Sequence, residues 1–129
     1  MLSVFQTNET LGYSQAVRVG DMLYVSGQVA VNERGEAVGG RDDIRAHAEQ
    51  VFKNLRAVIE TGGSRLDLVA KMTVYTTSLE YTPAIREARR QMFGPSRHWP
   101  ASTLVVISGL ARPEYLVEIE AICAVTGAA

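Results

Sequence analysis

Residues 43–61 read DIRAHAEQVFKNLRAVIET and carry the strongest helical pattern in the chain. Their apolar positions form one stripe at 3.6-residue periodicity, made of Ile44, Ala48, Val51, Phe52, Leu55, Val58 and Ile59. Asp42 or Asp43 can cap the N-terminus of this helix, and Gly62-Gly63 can end it in a left-handed turn. His47 lies off the stripe, so we expect it to be a solvated helix residue.

Strand patterns lie on both sides of this helix. Residues 16–19 and 22–26 flank Gly20-Asp21, a dipeptide suited to positive φ, and predict a β-hairpin. Residues 71–77 are rich in β-branched side chains and predict a third strand. Two final strands are predicted at about 101–108 and 116–125.

A second helix is predicted to begin at Thr82-Pro83, with the threonine as its cap and the proline at its first position. Its inner face consists of Ile85, Ala88 and Met92. The predicted order is therefore β-β-α-β-α-β-β, an α+β domain spanning residues 1–129 with both helices on one face of a sheet. The chain supplies no third layer for the other face, which favours an oligomer whose sheets pack together.

The net charge and the apolar content of the chain indicate which kinds of binding partner to expect. The net charge of −1 and the pI of about 6.1 do not favour binding to nucleic acid or to an anionic membrane. No apolar stretch approaches the ~20 residues of a membrane span.

The lone cysteine, Cys123, lies in an apolar run and is expected to be a buried thiol. With no disulfide possible within the chain and no signal-peptide pattern at residues 1–9, we expect a cytoplasmic protein.

Motifs for cofactors and metals are missing from the sequence. It contains no Walker loop, GxGxxG or HExxH, and its two histidines, His47 and His98, lack cysteine partners at zinc-site spacing. We therefore predict no metal and no cofactor.

The segment Val117-Glu118-Ile119-Glu120-Ala121 places two carboxylates on one face of an otherwise apolar strand, roughly 7 Å apart. One interpretation is a solvated sheet face. The other is a cleft in which burial and mutual repulsion favour protonation of one carboxyl, so that the other can accept a proton from water.

Several segments also resemble motifs of one family. Gly12-Tyr13-Ser14-Gln15-Ala16 is similar to G-P-Y-S-Q-A, and Tyr24-Val25-Ser26-Gly27-Gln28 matches Y-V-S-G-Q. Residues 64–74 resemble S-S-L-D-D-V-V-K-T-T-V, and Pro100-Ala101 followed by residues 117–121 resembles P-A-R-S…V-E-I-E-A. Over about residues 10–125, the chain thus resembles the Rid (YjgF-like) family, also called the endoribonuclease L-PSP family.

The resemblance implies a chorismate-mutase-like fold and a homotrimer, with the sheets forming a central barrel and three clefts between subunits. It also implies cofactor-free hydrolysis of enamines and imines such as 2-aminoacrylate. Carried onto this chain, the glutamate that holds the attacking water is Glu120, and the cleft wall includes Tyr13, Ser26, Gly27 and Gln28.

The chain departs from the family at the substrate anchor. The position of the arginine that binds the substrate carboxylate holds Ser102, and Arg86 stands where many members have an asparagine. Serine cannot form the bidentate pair of a guanidinium with a carboxylate. Either the substrate differs from 2-aminoacrylate, or another cation substitutes. Arg86 is the first candidate for that cation, and Arg112 and His98 are weaker ones.

Two other residues complete the set of site candidates. Trp99 either packs in the core or trimer interface, or forms an aromatic wall at the mouth of the cleft. Glu118 is expected to be mainly structural, bonded to Ser102 or to a neighbouring chain.

Three functions follow from these observations. The first is an enamine/imine deaminase-like hydrolase acting on a small metabolic intermediate. The second is a non-catalytic trimer that binds a small metabolite. The third is an endoribonuclease, which needs a basic surface that this chain does not show in its sequence.

Overall fold

The computed structural model describes the backbone of residues 2–125 and the side chains of Phe5 and residues 8–125. The elements, in chain order, are β1 (Leu2–Asn8), β2 (Tyr13–Val19), β3 (Met22–Gln28), α1 (Ile44–Thr61), β4 (Val69–Thr76), α2 (Thr82–Phe93), β5 (Ala101–Val106) and β6 (Val117–Ala124). The strands form one sheet in the order β1-β2-β3-β6-β4-β5, and only the β4–β5 pair is parallel. The predicted α+β class and element order are confirmed. The structure has one further strand, β1, which precedes the predicted elements. β1 is defined by its pairing with β2, from Leu2 opposite Val19 to Asn8 opposite Tyr13, and no local pattern predicts that pairing.

The hairpin between β2 and β3 forms as predicted. Val19 pairs with Met22 across a two-residue turn, and Gly20 has a φ of +59°. Glycine reaches this left-handed region without steric cost, which explains the residue at this turn.

Helix α1 begins and ends at the predicted signals. The Asp43 side chain accepts a hydrogen bond from the amide of Ala46 at 3.1 Å, and Gly63, just past the helix, has a φ of +89°. The expectation for His47 is wrong, because its side chain is fully buried and its Nε2 lies 2.6 Å from the carbonyl oxygen of Gly40. The loop that contains Gly40 folds back over the first turn of α1 and covers a position outside the apolar stripe.

Helix α2 packs against α1 and buries Ile85 and Ala88, with Met92 partly buried. The prediction that Thr82 caps this helix is wrong. The chain already turns at Leu79–Tyr81, where the Ser78 side chain accepts a hydrogen bond from the amide of Glu80 at 3.2 Å. Thr82 is consequently the first residue of the helix, and its side chain does not serve as the cap.

The two faces of the sheet differ in coverage. The face beneath the helices supplies the core, including Leu23, Val25, Met72, Val74, Ile119 and Cys123, all buried. The opposite face, which we call the open face, exposes apolar side chains such as Val19, Tyr24 and Val105. Within residues 2–125, neither helix is long and apolar enough to cross a membrane.

Candidate functional site

The two glutamates of β6 lie on the open face, as their spacing predicts. Val117, Ile119 and Ala121 point into the core and are at most 2% exposed, whereas Glu118 and Glu120 alternate with them and are partly buried. Glu118 and Glu120 therefore lie near the centre of the sheet, because β6 is flanked by β3 and β4.

Strand β4 adds a phenol to this carboxylate pair. Tyr75 stands opposite Glu118 in the β4–β6 register, and Thr73 stands opposite Glu120. A hydrogen bond to the Glu120 carboxylate raises the pKa of Tyr75, and burial and the charges of both glutamates act in the same direction. Tyr75 therefore keeps its proton and can donate it in a hydrogen bond to Glu120.

Strand β3 makes room for Glu118 on the other side. The β3–β6 register shifts between Val25 and Gln28, which is the signature of a β-bulge. At Gly27, inside this irregularity, an added Cβ would lie 2.6 Å from Cδ and 2.8 Å from Cγ of Glu118. Glycine at this position leaves room for the Glu118 side chain, which any larger residue would displace.

The Glu118 carboxyl holds its proton more tightly than an ordinary glutamate does. Burial raises the pKa of Glu118, and the neighbouring charge of Glu120 raises it further. Glu118 is thus the member of the pair that holds a proton more readily than an ordinary glutamate. The role of Glu120 as the proton acceptor stays a prediction.

Ser26 and Gln28, two further residues of the expected cleft wall, are held by hydrogen bonds within the chain. Ser26 Oγ donates to the carbonyl of Ser14 at 2.6 Å. Gln28 is buried, and its Nε2 donates to Gln15 Oε1 at 2.8 Å and to the carbonyl of Ser26 at 3.1 Å. Tyr13, at the start of β2, is 46% exposed. Ser26 and Gln28 therefore brace β2 against β3, and Tyr13 is free to contact a ligand.

Ser102 lies on the other side of the sheet from the glutamates. It stands opposite Met72, which is buried beneath the helices, whereas Thr73, the neighbour of Glu120, points to the open face. Ser102 borders a cavity of about 180 Å³ together with Arg86 of α2. The expected bond between Glu118 and Ser102 within one chain is therefore wrong, because β4 separates the strands that carry them and the two side chains face opposite ways.

Arg112 and His98, the weaker candidates for the substituting cation, already have partners. Arg112 Nε lies 2.8 Å from Glu114 Oε1, and its guanidinium stacks 5.6 Å from the Tyr115 ring centroid. His98 Nε2 lies 2.7 Å from the carbonyl oxygen of Val69. Trp99 is 54% exposed, so the core alternative is wrong for this chain, and a position at an interface or at the mouth of a cleft stays open.

Tyr75, Thr82 and Arg89 lie near the candidate site but were not predicted from the sequence as site residues. Tyr75 alternates with the buried residues of β4, so the sequence indicates that it lies on the open face. Its position beside Glu120 follows only from the pairing of β4 with β6. Thr82 and Arg89 lie with Arg86 on one side of α2, and the spacing of these positions along the helix is a signal that could have been used. Among residues 2–125, no three histidine, cysteine, aspartate or glutamate side chains converge as a metal-ligand set.

Comparison with known proteins identifies the family. The family model described as endoribonuclease L-PSP matches residues 6–125. A RutC family protein of Pyrococcus abyssi is 38% identical over 111 residues, which cover 85% of this chain and 84% of that protein. A 2-iminobutanoate/2-iminopropanoate deaminase of Dermatophagoides farinae is 37% identical over 85% of this chain and 83% of its own length. The crystal structure of a Rid-family protein of unknown function from Yersinia pestis superposes with a TM-score of 0.88 at 32% identity, covering 97% of this chain and all of that one. The chain belongs to the RidA/YjgF-like (Rid) family.

Proposed function

We propose that this protein is an enamine/imine deaminase-like hydrolase that releases ammonia from a small metabolic intermediate. The observation that carries the proposal is the cluster of Glu118, Glu120 and Tyr75 on the open face of the sheet. Membership of the Rid family and the deaminase name of one relative support the same reaction class.

The chemistry needs one proton acceptor and one attacking water. Glu120 accepts a proton from the water while the water oxygen adds to the imine carbon, and this proton passes to the nitrogen to give a carbinolamine. Glu120 then takes the proton of the new hydroxyl group and delivers it to the nitrogen. The carbon–nitrogen bond breaks, and ammonia leaves a carbonyl compound. Tyr75 donates a hydrogen bond that holds the Glu120 carboxylate in place, and the readiness of Glu118 to keep a proton limits repulsion within the pair.

The active assembly in this proposal is a homotrimer with intersubunit sites. The open face leaves Val19 and Tyr24 about half exposed, at 49% and 47%, and a second copy of the sheet would cover them. β5 is an edge strand, so a neighbouring copy can bring its Ser102 and Arg86 towards Glu120. Light scattering is expected to give about 42 kDa for three copies of 14.1 kDa, and a stable monomer at micromolar concentration would contradict the intersubunit site.

The substitution Glu120→Gln tests the mechanism. It keeps the size of the side chain and removes the base, so kcat should fall by roughly 10²–10⁴ with the oligomer intact. The substrates to use are 2-iminobutanoate and 2-iminopropanoate, generated by an amino-acid oxidase and followed by the loss of semicarbazone formation. Glu60→Gln is a matched control, because Glu60 is an exposed residue of α1 paired with Arg56.

Each outcome of this test has a clear meaning. Full activity of Glu120→Gln on an imine that the wild type hydrolyses would refute the proposed mechanism. Binding without turnover in the wild type would instead favour the metabolite-binding trimer. The endoribonuclease alternative rests on the names of the family model and of some similar solved structures. Two glutamates on the open face would repel an RNA backbone.

A further inference from the structure

The chain leaves β3 through a tight turn that is centred on Ala30. The amide of Val31 donates to the carbonyl of Val29 at 2.8 Å, which is the hydrogen bond of a γ-turn. Ala30 is fully buried, and its own carbonyl accepts a hydrogen bond from the amide of Val38 at 2.8 Å. The turn follows directly on Gln28, the last residue of β3. Its position therefore determines where the end of β3 lies.

The side chain of Asn54, in α1, binds both carbonyls that flank this turn. Its Nδ2 donates to the carbonyl of Val29 at 3.0 Å and to that of Val31 at 2.8 Å. Gln50, one turn earlier in the helix, donates from its Nε2 to Asn54 Oδ1 at 2.8 Å. This bond to the oxygen orients the amide so that its NH₂ group faces the turn, and both donors of that group are used. Asn54 thus ties α1 to a segment that lies 23 to 25 residues earlier in the chain.

The tied segment adjoins the irregularity that accommodates Glu118. The register shift of β3 against β6 ends at Gln28, which pairs with Ile119, between the two glutamates. Gly27 leaves room for the Glu118 side chain, and Gln28 alone separates Gly27 from Val29. Two residues of backbone span at most about 7 Å, so a displacement of the turn also displaces Gly27.

The bulge is held from two sides. On one side, Gln28 Nε2 donates to Gln15 Oε1 at 2.8 Å and ties the bulge to β2. On the other side, the two bonds from Asn54 tie the exit of β3 to α1. Polar contacts from both neighbours thus fix a segment in which the regular pairing with β6 is interrupted.

We propose that Asn54 is a positioning residue of the candidate site: it fixes the turn at Ala30, and the turn holds Gly27 where the Glu118 side chain fits against it. Asn54 acts through the backbone of residues 27–31 and is not a catalytic residue. The inference rests on the proposed function where it concerns hydrolysis, because Glu118 there limits the repulsion beside Glu120. The place of Glu118 can be measured without any turnover.

The substitution Asn54→Asp removes both donors and keeps the shape of the side chain and the acceptor for Gln50. A carboxylate oxygen then faces the two carbonyls and is repelled by them, so the turn should move. Water then reaches Glu118, and its pKa, which burial raises, should fall towards that of an ordinary glutamate. NMR titration of the glutamate carboxyl carbons in the assembled protein measures this shift. An unchanged pKa of Glu118 in the folded variant would overturn the proposal.

Asn54→Ala covers the case in which Asn54→Asp fails to fold. It removes the same two donors and introduces no charge, so the fall in the pKa of Glu118 should have the same direction. Retention of the wild-type pKa in Asn54→Ala would equally overturn the proposal.

Ser64→Ala is the matched control. Ser64 Oγ donates to the carbonyl of Ala124 at 2.6 Å, so this change also removes a bond from a side chain to the backbone of the sheet. Ala124 is the last residue of β6, at the other end of the strand from Glu118. Ser64→Ala is expected to lower the melting temperature and to leave the pKa of Glu118 unchanged. If it shifts that pKa as much as Asn54→Asp does, any loss of stability moves Glu118, and the positioning role of Asn54 is wrong.

Kinetics separate this inference from the proposed function. On an imine that the wild type hydrolyses, both Asn54 variants should lower kcat by roughly tenfold to a hundredfold with little change in KM, because a small misplacement of the reacting groups costs rate. Unchanged kcat in a variant in which the pKa of Glu118 has moved would overturn the role of Asn54 in the reaction. If the wild type hydrolyses no imine, the proposed function fails, and the titration of Glu118 still tests Asn54.

Discussion

Replacing Gly27 with alanine adds a methyl group where the Glu118 side chain already lies. The new Cβ would stand 2.6 Å from Glu118 Cδ and 2.8 Å from Cγ, whereas ordinary contact begins at 3.4 Å. The contacted atoms belong to one flexible side chain, so Glu118 rotates away while the backbone stays in place. Such a rotation out of a preferred rotamer costs about 0.5–1.5 kcal/mol, near the lower end of the cost of overpacking.

We therefore expect Gly27→Ala to lower the free energy of unfolding by about 1 kcal/mol and the melting temperature by roughly 3–6 °C. A double-mutant cycle with Glu118→Ala isolates the contact, because the space is open once the glutamate is truncated. In that background, Gly27→Ala should be nearly neutral. Gly94→Ala is the matched control, since Gly94 has a φ of −53° and an added Cβ meets no heavy atom within 4 Å.

Thermal unfolding followed by circular dichroism, at one protein concentration for all variants, measures these differences. NMR titration of the glutamate carboxyl carbons adds a direct observable. Rotation of Glu118 into solvent should bring its pKa down towards that of an ordinary glutamate. If Gly27→Ala costs the same with and without the Glu118 side chain, the contact between Gly27 and Glu118 is not the cause of the loss of stability.

Two further predictions concern protonation. The raised pKa of Glu118 means that the folded state holds this proton more tightly than the unfolded chain, so its contribution to stability is complete below the ordinary pKa of 4.5 and is lost as pH rises through the folded-state value. The wild type should therefore lose stability relative to Glu118→Gln as the pH rises above 4.5 in urea unfolding, and a pH-independent difference would contradict the shift. Burial raises the pKa of Cys123 to about 11, so iodoacetamide at about pH 8 should modify it slowly in the native protein and quickly after unfolding. Equal rates in the two states would contradict its burial.

Most of the secondary structure could be predicted from local patterns. The apolar stripe of α1 and its capping residue Asp43 depend on neighbours within a few turns, and the structure reproduces both. The alternation that places Glu118 and Glu120 on one face has a period of two residues and is equally local. The burial of Cys123 follows from the same alternation. These features depend on short-range geometry, which the order of residues specifies directly.

The composition of the site depends instead on which strands become neighbours. Tyr75 joins Glu120 because β4 pairs with β6, and the same arrangement leaves Ser102 on the opposite face, beside α2. The burial of His47 likewise depends on a loop that folds over α1. Local patterns therefore predict the helices, most of the strands, the carboxylate pair and the buried thiol. The groups that surround the carboxylates and those that surround Arg89 become apparent only in the folded chain. Contacts between distant segments depend on the packing of the whole sheet and its helices rather than on any local pattern.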